Sequence, residues 1–403
     1  MKKGYLSNYF IGIAAKKLSN VEANPDISNQ HEFNGVSQLR TIFGTQRQKV
    51  NARFLYLSDE ENQRILNDGF LTWYDARENH PTRSEYRLYF PSNDVTNLSE
   101  ANDLLIISKL EDNSFVVIIA PSGSTFESQL IWLFGISSQL EGFDTKVFEN
   151  KEDKEINFAS KFILEELGIE VEDRDENWLD RILSKFGNKF PTTSIFSTFA
   201  RETLPNVTSL ENPDKALITW IEHEEMLFRT LERHIVSKQL EQGFDDVDSF
   251  ISYSLSVQNR RKSRVGHALE HHVEFIFAEH DVKYSRGAQT ENKAKPDFIF
   301  PGINFYRDHD FEPICLSMLG VKSTCKDRWR QVLSEAERIN QKHLFTLEPG
   351  ISENQTNEMK ANSLSLVLPE ELHQSYTDSQ KKELLNLDDF IGFLKDKESN
   401  CIQ

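Results

Sequence analysis

Two short apolar runs constrain this chain more than anything else in it. KPDFIF, Lys295 to Phe300, and ICLSMLGVK, Ile314 to Lys322, are too short to be stable helices and too apolar to stay exposed. HLFTLE (His343 to Glu348) and SLSLVLP (Ser363 to Pro369) follow at close intervals. Runs of this kind have to pair into one sheet. Helical patterns surround them. Ala216 to Val236 carries apolar residues at helical spacing, and Gly266 to His280 places Leu269, Val273, Ile276 and Phe277 on one face. Asp327 to Gln341 reads as a further, charged helix. The expected product is a mixed α/β core.

The first part of the chain has another texture. Ala52–Leu57, Tyr86–Phe90, Asp103–Leu110 and Asn113–Ala120 read as short strands bounded by Asn, Asp, Ser, Gly or Pro, as in a meander or barrel. Asn157 to Gly168 is helical in pattern and ends on a glycine. The acidic stretch Glu170 to Asp180 suits a linker. The expected division is a β-rich domain over residues 1–169, a linker over 170–189 and an α/β domain over 190–403.

Charge is uneven. The net value is -18, but residues 257–342 hold 15 Lys and Arg against 12 Asp and Glu, whereas residues 101–256 hold 14 against 29. A basic centre between acidic flanks would draw an anionic partner to the sheet-forming runs. The same distribution also suits a solvated acidic surface. Cys315, Cys325 and Cys401 lack metal-ligand spacing and argue against a disulfide framework, so a reducing, cytoplasmic compartment is expected. No run of eighteen apolar residues is present, so no membrane partner is expected.

Asp297 and Lys322 stand at the ends of neighbouring strands. Phosphodiester hydrolysis needs a divalent metal held by carboxylates, an activated water and neutralisation of charge at the phosphate. The usual second acid, two residues before the lysine, is here Gly320. Glu335, on the expected helix, could replace it. Glu337 could not share its face. Glu270, on the earlier helix with Glu274 four residues on, is a further candidate. A glutamate chosen blind is more often an exposed helix charge. Lys326, Asp327 and Arg328 can read a C·G pair, cations donating to guanine and Asp accepting from cytosine N4. They also suit a charged first helical turn.

These residues resemble a known family. SVQNRRKSRVGHALEHHVEFIFAEH, KPDFIFP, GVKSTCKDRWRQVLSEAERI and HLFTLEPG are similar, nearly without gaps over residues 190–392, to the catalytic domain of EcoRII-type type II restriction endonucleases. That family is a branch of the PD-(D/E)XK nucleases in which the second acid has moved onto the following helix. The resemblance implies Asp297, Lys322, Glu335, Glu270 and Tyr306 as active-site residues, with Mg²⁺ on Asp297 and Glu335. It implies Lys326, Asp327 and Arg328 as readers of a CC/GG half-site. The N-terminal half resembles the family more weakly, through KKLSNVEANPDISNQHEFNG and TRSEYR. There the resemblance implies a pseudobarrel that binds a second DNA copy and restrains the nuclease, with Lys17, His31, Arg83, Glu85 and Arg87 facing DNA. His31 also suits an ordinary turn histidine, and the arginines also suit pairing with nearby acids.

The expected activity is Mg²⁺-dependent, site-specific cleavage of double-stranded DNA by a homodimer whose two-fold symmetry mirrors a near-palindromic site. A same-fold nuclease that senses modified or foreign DNA is one alternative. A cleavage-silent DNA-binding protein is another.

Overall fold

The structure is a computed structural model that describes residues 5–23, 31–34, 36–60, 63–137, 139–140, 142–148, 155–171 and 178–401. The chain forms two compact units, residues 1–170 with 350–356, and residues 171–349 with 357–403.

The first unit is built on eight strands. They are β1 (Phe10–Lys17), β2 (Glu32–Phe33), β3 (Gln48–Tyr56), β4 (Ile65–Asp75), β5 (Tyr86–Tyr89), β6 (Leu104–Leu110), β7 (Phe115–Ala120) and β8 (Asp144–Val147). Their order is β2-β5-β4-β3-β7-β6-β1-β8. Among the described residues of this unit only β3 and β7 pair in parallel. Every residue of β7 is buried, as its unbroken FVVIIA run requires of a central strand. The sheet curls. Lys16, near the end of β1, donates from Nζ to the Asn34 carbonyl at 3.2 Å, just past β2 at the other side of the strand order. Phe54, Leu71, Trp73, Leu88, Leu105 and Ile107 fill the enclosed core.

The second unit packs helices against a five-stranded sheet. Its helices include α1 (Leu179–Phe186), α2 (Thr193–Glu202), α3 (Pro213–Gln242), α4 (Val247–Glu279), α5 (Trp329–Leu333) and α6 (Leu387–Cys401). Its strands are β9 (Ser285–Arg286), β10 (Phe298–Phe300), β11 (Ser317–Lys322), β12 (Lys342–Thr346) and β13 (Leu364–Val367), in the order β13-β12-β11-β10-β9. Strands β11, β12 and β13 run parallel, while β10 is antiparallel to both of its neighbours. Helix α3 starts where Asn212 accepts from the Lys215 amide at 2.7 Å and Pro213 supplies a preset φ.

Three expectations need correction. Part of the expected linker is α1, whose Ile182 is fully buried with Phe196, Phe199, Met226 and Leu227. The stretch is acidic, but LDRILSKF has a core-facing stripe; residues 172–177 of the acidic stretch lie outside the described residues. The expected helix over 327–341 is broken. A 3₁₀ turn, Lys326–Arg328, leads into α5, which stops at Leu333. Beyond it Ala336 adopts φ +51°, and the Lys342 ammonium donates to the carbonyls of Ala336 at 3.3 Å and Ile339 at 2.6 Å. A side chain only three and six residues further on thus takes up carbonyls that a longer helix would have used. Finally, Cys315 and Cys401 form a disulfide, with Cα atoms 5.8 Å apart and a sequence separation of 86. The spacing of cysteines carries no sign that α6 returns to this loop. Cys325 is a free, buried thiol.

Candidate active site

The site grows from the register of β10 on β11. Phe298 lies opposite Leu319, so Asp297, one residue earlier, comes beside Gly320 and Val321. Fully buried Phe298 and Ile299 hold the strand in place. One Asp297 carboxylate oxygen, Oδ2, accepts from the Val321 amide at 2.7 Å and from the Lys322 ammonium at 2.8 Å. The pair keeps some solvent access, 17% for the aspartate side chain and 21% for the lysine, so a substrate can reach it.

Gly320 has no room for a side chain. A Cβ there would lie 2.9 Å from Cγ2 of Val332 on α5. The second carboxylate comes instead from the turn that follows α5. Glu335 is half-buried, and its Oε2 is shielded without a hydrogen-bond partner among the described residues. Burial lifts its carboxyl above the ordinary range; Lys322 opposes the rise and Asp297 adds to it. Asp297, Lys322 and Glu335 are thus electrostatically coupled. Glu337 points elsewhere, exposed and accepting from the Asn292 amide at 2.8 Å.

Several groups fix the Glu335 turn. Lys342 is buried, with its pKa lowered by that burial, and clamps the turn through two carbonyls. The Tyr306 hydroxyl donates to Glu291 at 2.5 Å and accepts from the Arg338 amide at 3.3 Å. Burial and the Glu291 carboxylate push the Tyr306 pKa up, so the phenol stays protonated. The Arg338 guanidinium reaches the carbonyls of Tyr306, of Asp308 at 2.8 Å and of Phe311 at 2.7 Å. Tyr306 is therefore engaged with the wall behind the turn. Glu270, on α4, binds Arg286 at 2.8 Å, and Glu274 binds the same guanidinium. Arg286, on β9, lies opposite Phe298 of β10, so Glu270 reaches β10 through an ion pair.

The base-reading candidates follow Lys322 on the same sheet edge. Their 3₁₀ turn closes through the Arg328 amide on the Cys325 carbonyl at 2.8 Å. Lys326 has φ +37°, and exposed Arg328 contacts the Thr324 hydroxyl at 3.2 Å. The Asp327 side chain lies outside the described residues.

The N-terminal candidates divide into separate settings. Lys17 donates to the Asn102 carbonyl at 3.0 Å and pairs with Glu127, and burial lowers its pKa. His31 has φ +48° and packs edge-on against Phe90. Arg83 is exposed between β4 and β5. Arg87 binds Glu85 at 2.9 Å and Glu32 at 3.1 Å, and Glu85 also binds Arg77 at 2.5 Å. The hydrogen bond from Arg87 holds the Glu85 carboxyl low. The structure thus brings Glu85 and Arg87 together and leaves Lys17 in a different network.

Sequence reading missed Arg286, Glu291, Arg338 and Lys342. For Lys342 a signal existed: a lysine that opens a fully buried strand has to meet an acceptor inside. The others carry no local signal.

Residues 228–391 match the family model described as EcoRII C terminal. The type II restriction enzyme EcoRII of Escherichia coli is 44% identical over 184 residues, which is 45% of this chain and 46% of that protein. The match therefore spans about half the length of that relative. Two solved complexes show distant likeness. Metal-depleted Ecl18kI with uncleaved, modified DNA has 18% identity and a TM-score of 0.47, covering 57% of this chain and 87% of that one. The PspGI–substrate DNA complex has 15% identity and a TM-score of 0.44, covering 52% and 94%.

Proposed function

We propose that this chain, whose residues 228–391 form an EcoRII C-terminal domain, is a type II site-specific endonuclease that hydrolyses double-stranded DNA at a CC/GG-containing, near-palindromic site. The observation that carries the reading is the coupling of Asp297, Lys322 and Glu335 at one sheet edge, with a shielded Glu335 oxygen left without a partner. That arrangement fits a divalent metal. Among the described residues no three His, Cys, Asp or Glu side chains gather as a self-sufficient metal site would. Mg²⁺ suits such a place, since it accepts one or two carboxylates and completes its shell with water and substrate phosphate.

Asp297 and Glu335 would hold the ion. When bound, it supplies Lewis acidity and lowers the pKa of a coordinated water. The protein's own part is narrower. Asp297, fixed by the Val321 amide, presents its carboxylate at the strand end. Lys322 offsets the negative charge that develops at the phosphate. Lys342, Tyr306 and Arg338 keep the Glu335 turn from relaxing.

Lys326, Asp327 and Arg328 read the C·G pairs, and a homodimer places one active site on each strand. The N-terminal unit binds a second DNA copy and restrains cleavage. Arg83 and the Arg87–Glu85 pair are its DNA-facing candidates beside His31, and Lys17 would have to leave Glu127 to take part. On this reading the protein acts in the cytoplasm, where the DNA it would cleave is found; among the described residues no helix is long and apolar enough to cross a membrane.

The test is incubation with plasmid and Mg²⁺, with and without site methylation, followed by sequencing of the fragment ends. Cleavage at one repeated CC/GG-containing site supports the reading. Cleavage only of methylated DNA would favour the modified-DNA sensor instead.

A further inference from the structure

Glu348 is a carboxylate that neither the metal nor the phosphate chemistry uses. It lies two residues past β12 and is only 3% exposed. A buried carboxylate is costly unless donors surround it. Its Oε2 accepts from the amides of both Cys325 and Lys326, the latter at 3.3 Å. Its own backbone is fixed as well. The Glu348 amide donates to the Thr346 hydroxyl at 3.1 Å, and the Tyr376 hydroxyl donates to the Glu348 carbonyl at 2.7 Å.

The two amides it holds open the 3₁₀ turn that carries Lys326, Asp327 and Arg328. Lys326 is there in the left-handed region, φ +37°, which a side-chain-bearing residue adopts only when its surroundings compel it. Glu348 holds the amide of that residue. Charge-assisted bonds to two successive amides fix the direction in which the turn leaves the sheet.

We infer that Glu348 is a specificity-positioning residue: through the Cys325 and Lys326 amides it sets the orientation of the base-reading turn. The inference rests on the reading of Lys326–Arg328 as base contacts. Glu348 itself touches no DNA. Its loss should blunt sequence discrimination and leave phosphate contacts intact.

The experiment measures dissociation constants of the full-length protein for a duplex with a CC/GG site and for one without. It is done at one salt concentration and without divalent metal, so that nothing is cut. The proteins are wild type, Glu348→Ala, Glu348→Gln and Arg328→Ala. Glu348→Ala is expected to weaken site binding roughly ten-fold, within the range of a lost base contact, and non-specific binding less than about two-fold. Glu348→Gln, which swaps charge-assisted bonds for neutral ones, is expected to lower the ratio by a smaller factor. If Glu348→Ala does not fold, Glu348→Gln decides alone. A wild-type ratio in the folded Glu348 variants, with a reduced one in Arg328→Ala, overturns the positioning role only. A wild-type ratio in Arg328→Ala overturns the base-reading assignment, and the inference with it.

Discussion

Gly320 and Val332 meet so closely that a Cβ on the glycine would come within 2.9 Å of the valine methyl. This is why the strand position that would carry the second acid is bare. The helix presses onto the strand at that point, and its continuation delivers Glu335. Gly320→Ala should therefore overpack the site and destabilise the protein by roughly 1–3 kcal/mol. Val332→Ala in the same chain should recover most of the loss. Urea unfolding of the single and double variants measures both effects.

Asp297 is tied to the fold as well as to the proposed chemistry, because it accepts from the Val321 amide as well as from Lys322. Asp297→Asn keeps an oxygen for the amide and is the cleaner variant. It should fold, bind DNA and fail to cleave. Lys322→Ala should lower the cleavage rate by about 10²–10³-fold, as expected for loss of one preorganised charge-stabilising group. Single-turnover cleavage at saturating enzyme separates these effects from binding.

Glu335 should matter far more than Glu337, which is exposed and paired with Asn292. The setting of Glu335 also gives a pH dependence. Burial raises its carboxyl pKa, so cleavage should fall, as pH drops, at a higher pH than an ordinary glutamate would dictate. The effect on stability runs the other way. An acid whose pKa is raised on folding favours the folded state most below its ordinary pKa, and that support fades as pH rises through the raised value. Glu335→Gln should abolish cleavage yet melt above wild type at about pH 8, with the gap closing toward about pH 4. Calorimetry across that range, beside initial cleavage rates, checks both signs.

The helical layer behind the sheet depends on a buried ionic group. Glu224 on α3 binds Arg264 and, at 2.8 Å, His272, both on α4. Burial alone would raise the Glu224 carboxyl, but His272 and Arg264 hold it below the usual range. Removing one member strands the others in the core. Glu224→Ala should cost about 3–5 kcal/mol. Chemical denaturation followed by circular dichroism measures it.

Much of the second unit could be read from the chain. Short apolar runs with polar ends announce β10, β11, β12 and β13, and they place Asp297 and Lys322 at strand ends. What escaped was set by contacts that the local pattern does not announce. WRQVLSEAERI keeps a helical rhythm past Leu333, yet the backbone turns because Lys342 captures the Ala336 and Ile339 carbonyls. The Cys315–Cys401 disulfide depends on where α6 ends, which no spacing reveals. In the first unit the strands are legible singly. The curl that brings Lys16 to Asn34 is a property of the whole sheet.

Strands β11 and β12 run parallel with Lys322 opposite Thr346, so Lys322 and Glu348 leave the sheet from two locked rails. Lys322 and the turn proposed to read the bases both continue from β11, and Glu348 beyond β12 braces that turn, so cutting and reading are tied to one strand register. A slip of one residue would turn one set of side chains to the opposite face. Such a slip would therefore disturb cutting and reading together.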